Sequence, residues 1–145
     1  MAQKTGLIPQ FTTAQINTKI AIDLIEFNNA LIKSYKYIGE QIVNNARMNA
    51  NFTDQTGNLR HSIGYKVYNN GRSIEENFQG SDEGMTAGKS IADELGKSTK
   101  GINLIVVAGM DYASYVEDRG YDVISGSILS KNQVDEYFKV FFIGL

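Results

Sequence analysis

The feature that most constrains this chain is a run of apolar residues at helical spacing from about residue 17 to residue 50. The members of the run, each three or four residues after the last, are Ile20, Leu24, Phe27, Leu31, Tyr35, Ile38, Ile42 and Ala46. Such steps place side chains on one face of a single α-helix. A helix of this length is about 45–50 Å long, which is more than a small domain can cover. We therefore predict that part of the helix contacts another subunit.

A β-hairpin is predicted over residues 62–79, shortly after the helix. Apolar residues alternate there with small or polar ones, as in a strand that buries one face. The apolar members are Ile63, Tyr65 and Val67. Asn70 and Gly71 then form the strongest short turn signal, because both residues tolerate positive φ.

The second half of the chain is predicted to add two strands and three helices. Residues 102–108 are almost continuously apolar, which indicates a central strand, and Asp111 can cap a short helix. The predicted elements are a helix near 87–95, a strand over 102–108, a helix over 112–118, a strand over 121–124 and a helix over 131–143. This order predicts an α+β fold, in which a long N-terminal helix and a C-terminal helix pack on a small antiparallel or mixed sheet of about four strands.

A chain of 145 residues is the size of one domain. Residues 1–16 are predicted to form an N-terminal arm, because Pro9, the only proline, interrupts any helix there. Residues 17–145 are predicted to form a single α+β domain. Within it, the stretch at about 80–101 is polar and glycine-rich, and we interpret it as an excursion that is mobile or ordered by a partner, with Gly96 as the C-terminal cap of its short helix.

Composition excludes several kinds of function. Fourteen Lys and Arg against 16 Asp and Glu give a net charge of −2, so the chain has no basic field for nucleic-acid phosphates. Cysteine is absent, which excludes disulfides and thiolate metal sites. No apolar run approaches the roughly 20 residues of a membrane span, and no signal peptide is visible. We expect a soluble product made in a cytoplasm, with no cofactor, no metal and no membrane partner.

Candidate catalytic residues are few. His61 is the only histidine, and no nucleophile with an obvious orienting acid surrounds it in sequence. The segment 84–90 superficially resembles a phosphate-binding loop, but three residues separate its glycines where the motif needs four. We therefore predict no catalytic residue. A small hydrolase that uses His61 and an acidic residue stays open as a less favoured alternative.

Two short strings carry the most specific signal. The first contains Thr56, Gly57, Leu59, Arg60, Ser62 and Ile63, and the second contains Tyr112, Ala113, Tyr115, Val116, Glu117 and Gly120. In the first string, glycine can supply the unusual φ that turns the chain off the long helix, and the apolar residues can pin that turn to the core. The Arg60 guanidinium suits a bidentate pair with a carboxylate. We hypothesise that Glu117 is its partner, within one subunit or across an interface.

In this order and setting, the two strings resemble those of the neck and tail-completion proteins of tailed bacteriophages, a group that includes minor tail components. Members typically have a long first helix, a Thr-Gly-x-Leu-Arg-x-Ser-Ile string that enters a hairpin, and later a strand followed by Tyr-Ala-x-Tyr-Val-Glu and a glycine. The resemblance covers roughly residues 17–143. The chain departs from many members after the second string, where Asp118 and Arg119 follow the glutamate instead of Phe and Gly.

The resemblance implies a non-enzymatic structural virion protein that forms a ring at the head–tail junction. The ring would be a homo-oligomer of sixfold or twelvefold symmetry, closed by head-to-tail association, and would link the portal or connector to the tail tube. The arm and the apolar C-terminus would lie across neighbouring subunits. DNA would only pass through the channel, because an acidic surface does not hold it.

The resemblance also implies that the protein is located in the virion after synthesis in the cytoplasm of the bacterial host. The alternative left open by the residues themselves is a soluble protein- or ligand-binding module without catalysis. A stable monomer with a deep apolar pocket would favour that alternative.

Overall fold

The computed structural model describes residues 6–51, 53–54, 56–80, 83–110 and 123–143. Its elements are α1 (Thr13–Met48), α2 (Asn58–Ser62), β1 (Ile63–Asn69), β2 (Arg72–Asn77), α3 (Glu83–Gly96), β3 (Ile102–Ala108), a 3₁₀ turn (Ser125–Ser127) and α4 (Lys131–Phe142). The strands form an antiparallel sheet of order β2-β1-β3. The α+β class, with a long N-terminal helix and a C-terminal helix, is therefore confirmed.

Helix α1 begins four residues earlier than predicted because Thr12 and Gln15 form a capping box. The Gln15 amide donates to Thr12 Oγ1 at 3.2 Å, and the Thr12 amide donates to Gln15 Oε1 at 2.8 Å, which satisfies two amides that a helix start leaves open. The helix has 36 residues and is thus about 54 Å long. Only its C-terminal part, from Ala30 onward, contains buried residues.

Strand β1 is the centre of the molecule. Residues 62–68 are all buried, and β1 pairs with β2 on one side and β3 on the other. The turn between β1 and β2 has positive φ at Asn70 (50°) and Gly71 (80°), which confirms the predicted hairpin turn. The α1 side of the sheet holds the core cluster: Val43, Ala46, Leu59, Ile63, Tyr65, Val67 and Val123.

The sheet has three strands among the described residues, where about four were predicted. The expected fourth strand, 121–124, is represented there only by Val123 and Ile124, which form a bend. Val123 is nevertheless 1% exposed and belongs to the core cluster. The short apolar run therefore predicted a buried residue correctly, but apolar character alone does not determine whether a segment pairs as a strand. The expected helix over 112–118 lies outside the described residues.

Helix α3 is longer than the predicted 87–95 helix and packs on the face of the sheet opposite α1. Its buried residues recur every four positions: Gly84, Gly88, Ala92 and Gly96. A Cβ added at Gly88 would lie 2.4 Å from the Ser62 carbonyl oxygen, and one at Gly96 would lie 2.2 Å from the Tyr68 ring. These glycines therefore allow close approach of the helix to the sheet, and Gly96 is its last residue rather than a cap beyond it.

We expect Gly88→Ala to lower the free energy of unfolding by about 1–3 kcal/mol, the usual range for overpacking. The sign of this change is informative, because the same substitution at an open helix position raises the free energy of unfolding by up to about 1 kcal/mol. Urea denaturation measures the difference. The matched control is Ser90→Ala on the exposed side of the same helix, which should be neutral or slightly stabilising. A stabilised Gly88→Ala protein would contradict the close packing of α3.

Candidate functional site

The N-terminal half of α1 is the most exposed apolar part of the fold. Every residue from 13 to 27 is exposed, and we call this segment the projecting half of α1. It carries six large apolar side chains, each 40–60% exposed: Ile16, Ile20, Ile22, Leu24, Ile25 and Phe27. Leu7, Ile8 and Phe11 in the segment before it are 58–102% exposed. Exposed apolar side chains at this density make the segment the candidate interaction site of the described chain.

The exposed area is as large as one side of a protein interface. A large side chain presents about 150–250 Å² when fully exposed, so the nine side chains together leave on the order of 1,000 Å² of apolar surface in water. The largest patch on a typical monomer is about 300–600 Å², and a standard interface buries about 800 Å² per partner. The total is therefore as large as one side of a standard interface, although it is divided between different sides of the segment.

The exposed side chains lie on two nearly opposite sides of the projecting half. At 100° per residue, a first stripe contains Ile16, Ile20, Leu24 and Phe27, and a second stripe contains Ile22 and Ile25. Because the two stripes face away from each other, no single neighbouring element covers both. We infer that full burial of this helix needs at least two surfaces.

Helix α4 covers the first stripe further along α1. The rings of Tyr35 and Phe138 lie 5.7 Å apart between centroids, and those of Phe27 and Phe142 lie 5.2 Å apart. The packing of α4 on α1 ends at Phe27, because α4 itself ends at Phe142. Ile143, the next residue, is 81% exposed. The exposed stripe thus begins where the intramolecular partner stops.

The first string of the sequence forms the connection between α1 and β1. Gly57 has a φ of 77° as the N-cap of α2, and Leu59 and Ile63 are 1% and 0% exposed. Ser62 Oγ donates to the Leu59 carbonyl at 2.6 Å, which satisfies a buried hydroxyl. The string therefore turns the chain at Gly57 and anchors it through Leu59 and Ile63.

Arg60 joins this connection to the end of α1. Its Nη1 donates to the Arg47 carbonyl oxygen at 3.2 Å, and its backbone amide donates to Asp54 Oδ2 at 2.8 Å. Carbonyls in the last turn of a helix have no partner within the helix, so a guanidinium there both pairs with one and complements the helix dipole. The second string, from Tyr112 to Gly120, lies outside the described residues, and the Arg60–Glu117 pair stays a prediction.

A partly buried network of hydrogen bonds on the α1 side of the sheet could not be predicted from the sequence. Tyr65 Oη donates to Glu40 Oε1 at 2.9 Å, and Asn77 Nδ2 donates to both Glu40 oxygens at 2.9 and 2.8 Å. Arg47 Nη2 donates to the Ile63 carbonyl at 2.6 Å. Burial, followed by the bond to Glu40, raises the pKa of Tyr65, so the phenol stays a donor. The network fastens α1 to β1 and β2.

An ionic cluster joins the other face of the sheet to α3. Lys66 Nζ lies 2.8 Å from Asp93 Oδ1 and 3.1 Å from Glu76 Oε2, and Lys89 lies 2.7 Å from Glu76 Oε1. Hydrogen bonds to Lys66 and Tyr68 lower the pKa of Asp93, and those to Lys89 and Lys66 lower the pKa of Glu76. Burial alone would lower the pKa of Lys66, but its two carboxylate partners raise it. The cluster therefore pairs each of its two lysines with at least one carboxylate.

The remaining candidate site residue is His61. A Cβ built at Gly80 would lie 2.8 Å from its Nδ1, and one built at Gly57 would lie 3.3 Å from its Cε1, so the ring packs between two glycines. In the described part of the chain, no three His, Cys, Asp or Glu residues are grouped as metal ligands. Within that same part, no helix has the length and apolarity to cross a membrane.

Comparisons of this chain with protein-family models, with curated proteins and with solved structures found no match.

The Arg60–Glu117 hypothesis predicts non-additive effects. Arg60→Ala and Glu117→Ala should each lower the free energy of unfolding or impair assembly, and the double variant should lose less than the sum of the two. Urea denaturation of all four proteins forms a double-mutant cycle. Fully additive losses would show that the two side chains do not interact.

The ionic cluster predicts a stability that falls in acid. Unfolded Asp and Glu have pKa values of about 3.9 and 4.3, and those of Asp93 and Glu76 are lower in the folded protein. The cluster therefore stabilises the fold above these values and loses its contribution as pH falls through the lower folded pKa values. Urea unfolding from about pH 5 to pH 2.5 should show a steeper loss in the native chain than in Lys66→Met. Lys36→Met, which removes an exposed pair with Glu75, is the control and should keep the native slope.

Proposed function

We propose that this chain is a structural virion protein of a tailed bacteriophage, which forms a homo-oligomeric ring at the head–tail junction. In this position it links the portal or connector to the tail and lets DNA pass. Two independent lines support the proposal. One is the pair of sequence strings that resemble those of neck and tail-completion proteins, and the other is the exposed apolar surface of the projecting half of α1.

The single observation that carries the proposal is this exposed surface. Six side chains at 40–60% exposure occupy one continuous stretch of helix, and no described element of the chain buries them, so another chain can supply the energy of their burial. At about 25 cal/mol per Å², such a surface strongly favours association. Catalysis and small-ligand binding do not require such a surface, whereas an assembly subunit does.

The anchoring of α1 also fits an assembly role. The end of the helix is fastened by Arg47 to the Ile63 carbonyl and by Arg60 to the Arg47 carbonyl. The first string therefore holds the helix at a fixed angle to the sheet, and the projecting half extends from a rigid base. A rigid base gives every subunit the same contact geometry, which closed rings require.

The two apolar stripes fit a ring better than a simple dimer. In a ring, each subunit contacts one neighbour on each side through different surfaces. Stripes on nearly opposite sides of one helix can serve two such neighbours at once. The net charge of −2 agrees with a channel that does not retain DNA.

Cryo-electron microscopy of purified virions, with this chain traced in the map, tests the proposal. We expect a closed ring between the portal complex and the tail tube, with the projecting half of α1 buried between subunits. Virions assembled with His61→Ala should be normal, which serves as the control against a catalytic role. Absence of the chain from an otherwise complete virion would reject the proposal in favour of a binding module.

A further inference from the structure

We propose that, before it joins any assembly, this chain forms an antiparallel dimer in which the projecting half of α1 pairs with the same segment of a second copy. The inference goes beyond the proposed function, since it concerns the free protein and does not depend on a virion. The occupant is a second copy because the area, the charge pattern and the end of α4 all fit one.

The exposed apolar area outside the second stripe is enough for a dimer. Without Ile22 and Ile25, the seven other exposed apolar side chains present on the order of 800 Å² per copy, which equals the area that each partner buries in a standard interface. Two copies of the same surface therefore supply enough area for a stable dimer. The free chain otherwise keeps this surface in water, which the hydrophobic effect opposes.

The charges beside the first stripe select the orientation. Lys19, Asp23 and Glu26 all lie along one side of the stripe, and only the uncharged Asn17 and Asn28 lie along the other. In an antiparallel pair the same sides of two helices face each other, whereas in a parallel pair opposite sides do. Only the antiparallel arrangement therefore places the charged residues of one copy beside the charged residues of the other.

The register follows from the same residues. A twofold axis near residue 22 places Ile16 opposite Phe27 and Ile20 opposite Leu24 of the other copy. It also places each Lys19 beside the second copy's Asp23 and Glu26. Lys19 already pairs with Asp23 of its own helix at 2.6 Å, so the dimer extends this pair into a network across the interface.

The end of α4 fits this register. In the proposed dimer, the first turn of the second copy's helix, Thr13–Ile16, lies level with residues 27–31 of α1 and meets the end of α4 at Phe142. The exposed Ile143 then lies beside that turn. The second copy thus packs on the part of the first stripe that α4 leaves exposed. The second stripe, with Ile22 and Ile25, stays outside the pair.

The first experiment uses the absence of cysteine from the chain. Ile20→Cys and Thr13→Cys place one thiol each on the same side of the helix, seven residues apart. With a 1.5 Å rise per residue, the two copies of position 20 would be about 6 Å apart along the axis, and those of position 13 about 27 Å apart. We expect a short bismaleimide to cross-link the purified Ile20→Cys protein and to leave Thr13→Cys monomeric on a denaturing gel.

Charge reversal tests the register independently. In sedimentation equilibrium of the purified full chain, Lys19→Glu and Glu26→Lys should each raise the dimer dissociation constant roughly tenfold or more. Glu26→Lys makes two intermolecular contacts repulsive, those with Lys19, and Lys19→Glu makes four repulsive, those with Asp23 and Glu26. The double variant Lys19→Glu, Glu26→Lys restores the contacts between positions 19 and 26 and should recover part of the native value, since the contacts with Asp23 stay repulsive. Both Lys19→Glu proteins lose the intrahelical pair with Asp23, so the recovery reports only the contact between copies. Ile25→Glu on the second stripe is the control and should leave the dimer intact.

Three results would overturn the dimer. The native chain could sediment as a monomer over the whole concentration range, both cysteine variants could cross-link equally, or the charge-reversed double variant could stay as weak as Lys19→Glu alone. These outcomes are distinct from failure of the proposed function, which is read from the location of the chain in virions. A dimer in solution together with absence from virions would keep this inference and reject that function.

Discussion

The rest of the structure depends on the contact between the C-terminal half of α1 and strand β1. Gly39 leaves room for the Tyr65 ring, since an added Cβ would lie 2.7 Å from it, and Arg47 reaches the Ile63 carbonyl. Because β1 is the only strand with a neighbour on both sides among the described residues, a helix fixed to β1 is fixed to the whole sheet. The orientation of the projecting half of α1, and with it any assembly, follows from this one contact.

The two faces of β1 are stabilised in different ways. The α1 face combines an apolar cluster with the hydrogen bonds of Glu40, so large side chains fill the space and Glu40 accepts from Tyr65 and Asn77. On the α3 face, glycines bring the helix backbone against the sheet. There Lys66 pairs with Asp93 at 2.8 Å. One strand thus supports a packed core on one side and a close, ionic contact on the other.

Features encoded within a few neighbouring residues could be predicted from the sequence, and features that need a distant partner could not. The long helix, the Asn70–Gly71 turn and the roles of Leu59 and Ile63 were predicted because spacing and residue type suffice for them. The glycines of α3 were interpreted as a sign of an excursion, since their four-residue spacing has meaning only against the sheet that they approach. Glu40 and Asn77 are 37 positions apart, so no local pattern could join them. Of the candidate site, the first string is described as an anchor, and the second lies outside the described residues.

The continuity of α1 has a consequence for how the length of this chain can vary. One uninterrupted helix is part of the core in its C-terminal half and exposes apolar side chains in its N-terminal half. An insertion of one residue near Asn28 would leave both halves with their own residues, yet it would rotate the outer half by about 100° and move it by about 1.5 Å relative to the sheet. The stripes would then face a different direction in space. The rotational position of the outer half relative to the sheet, and not only its composition, thus decides which direction its apolar side chains face. Substitutions in this segment are expected to be tolerated more readily than changes in its length.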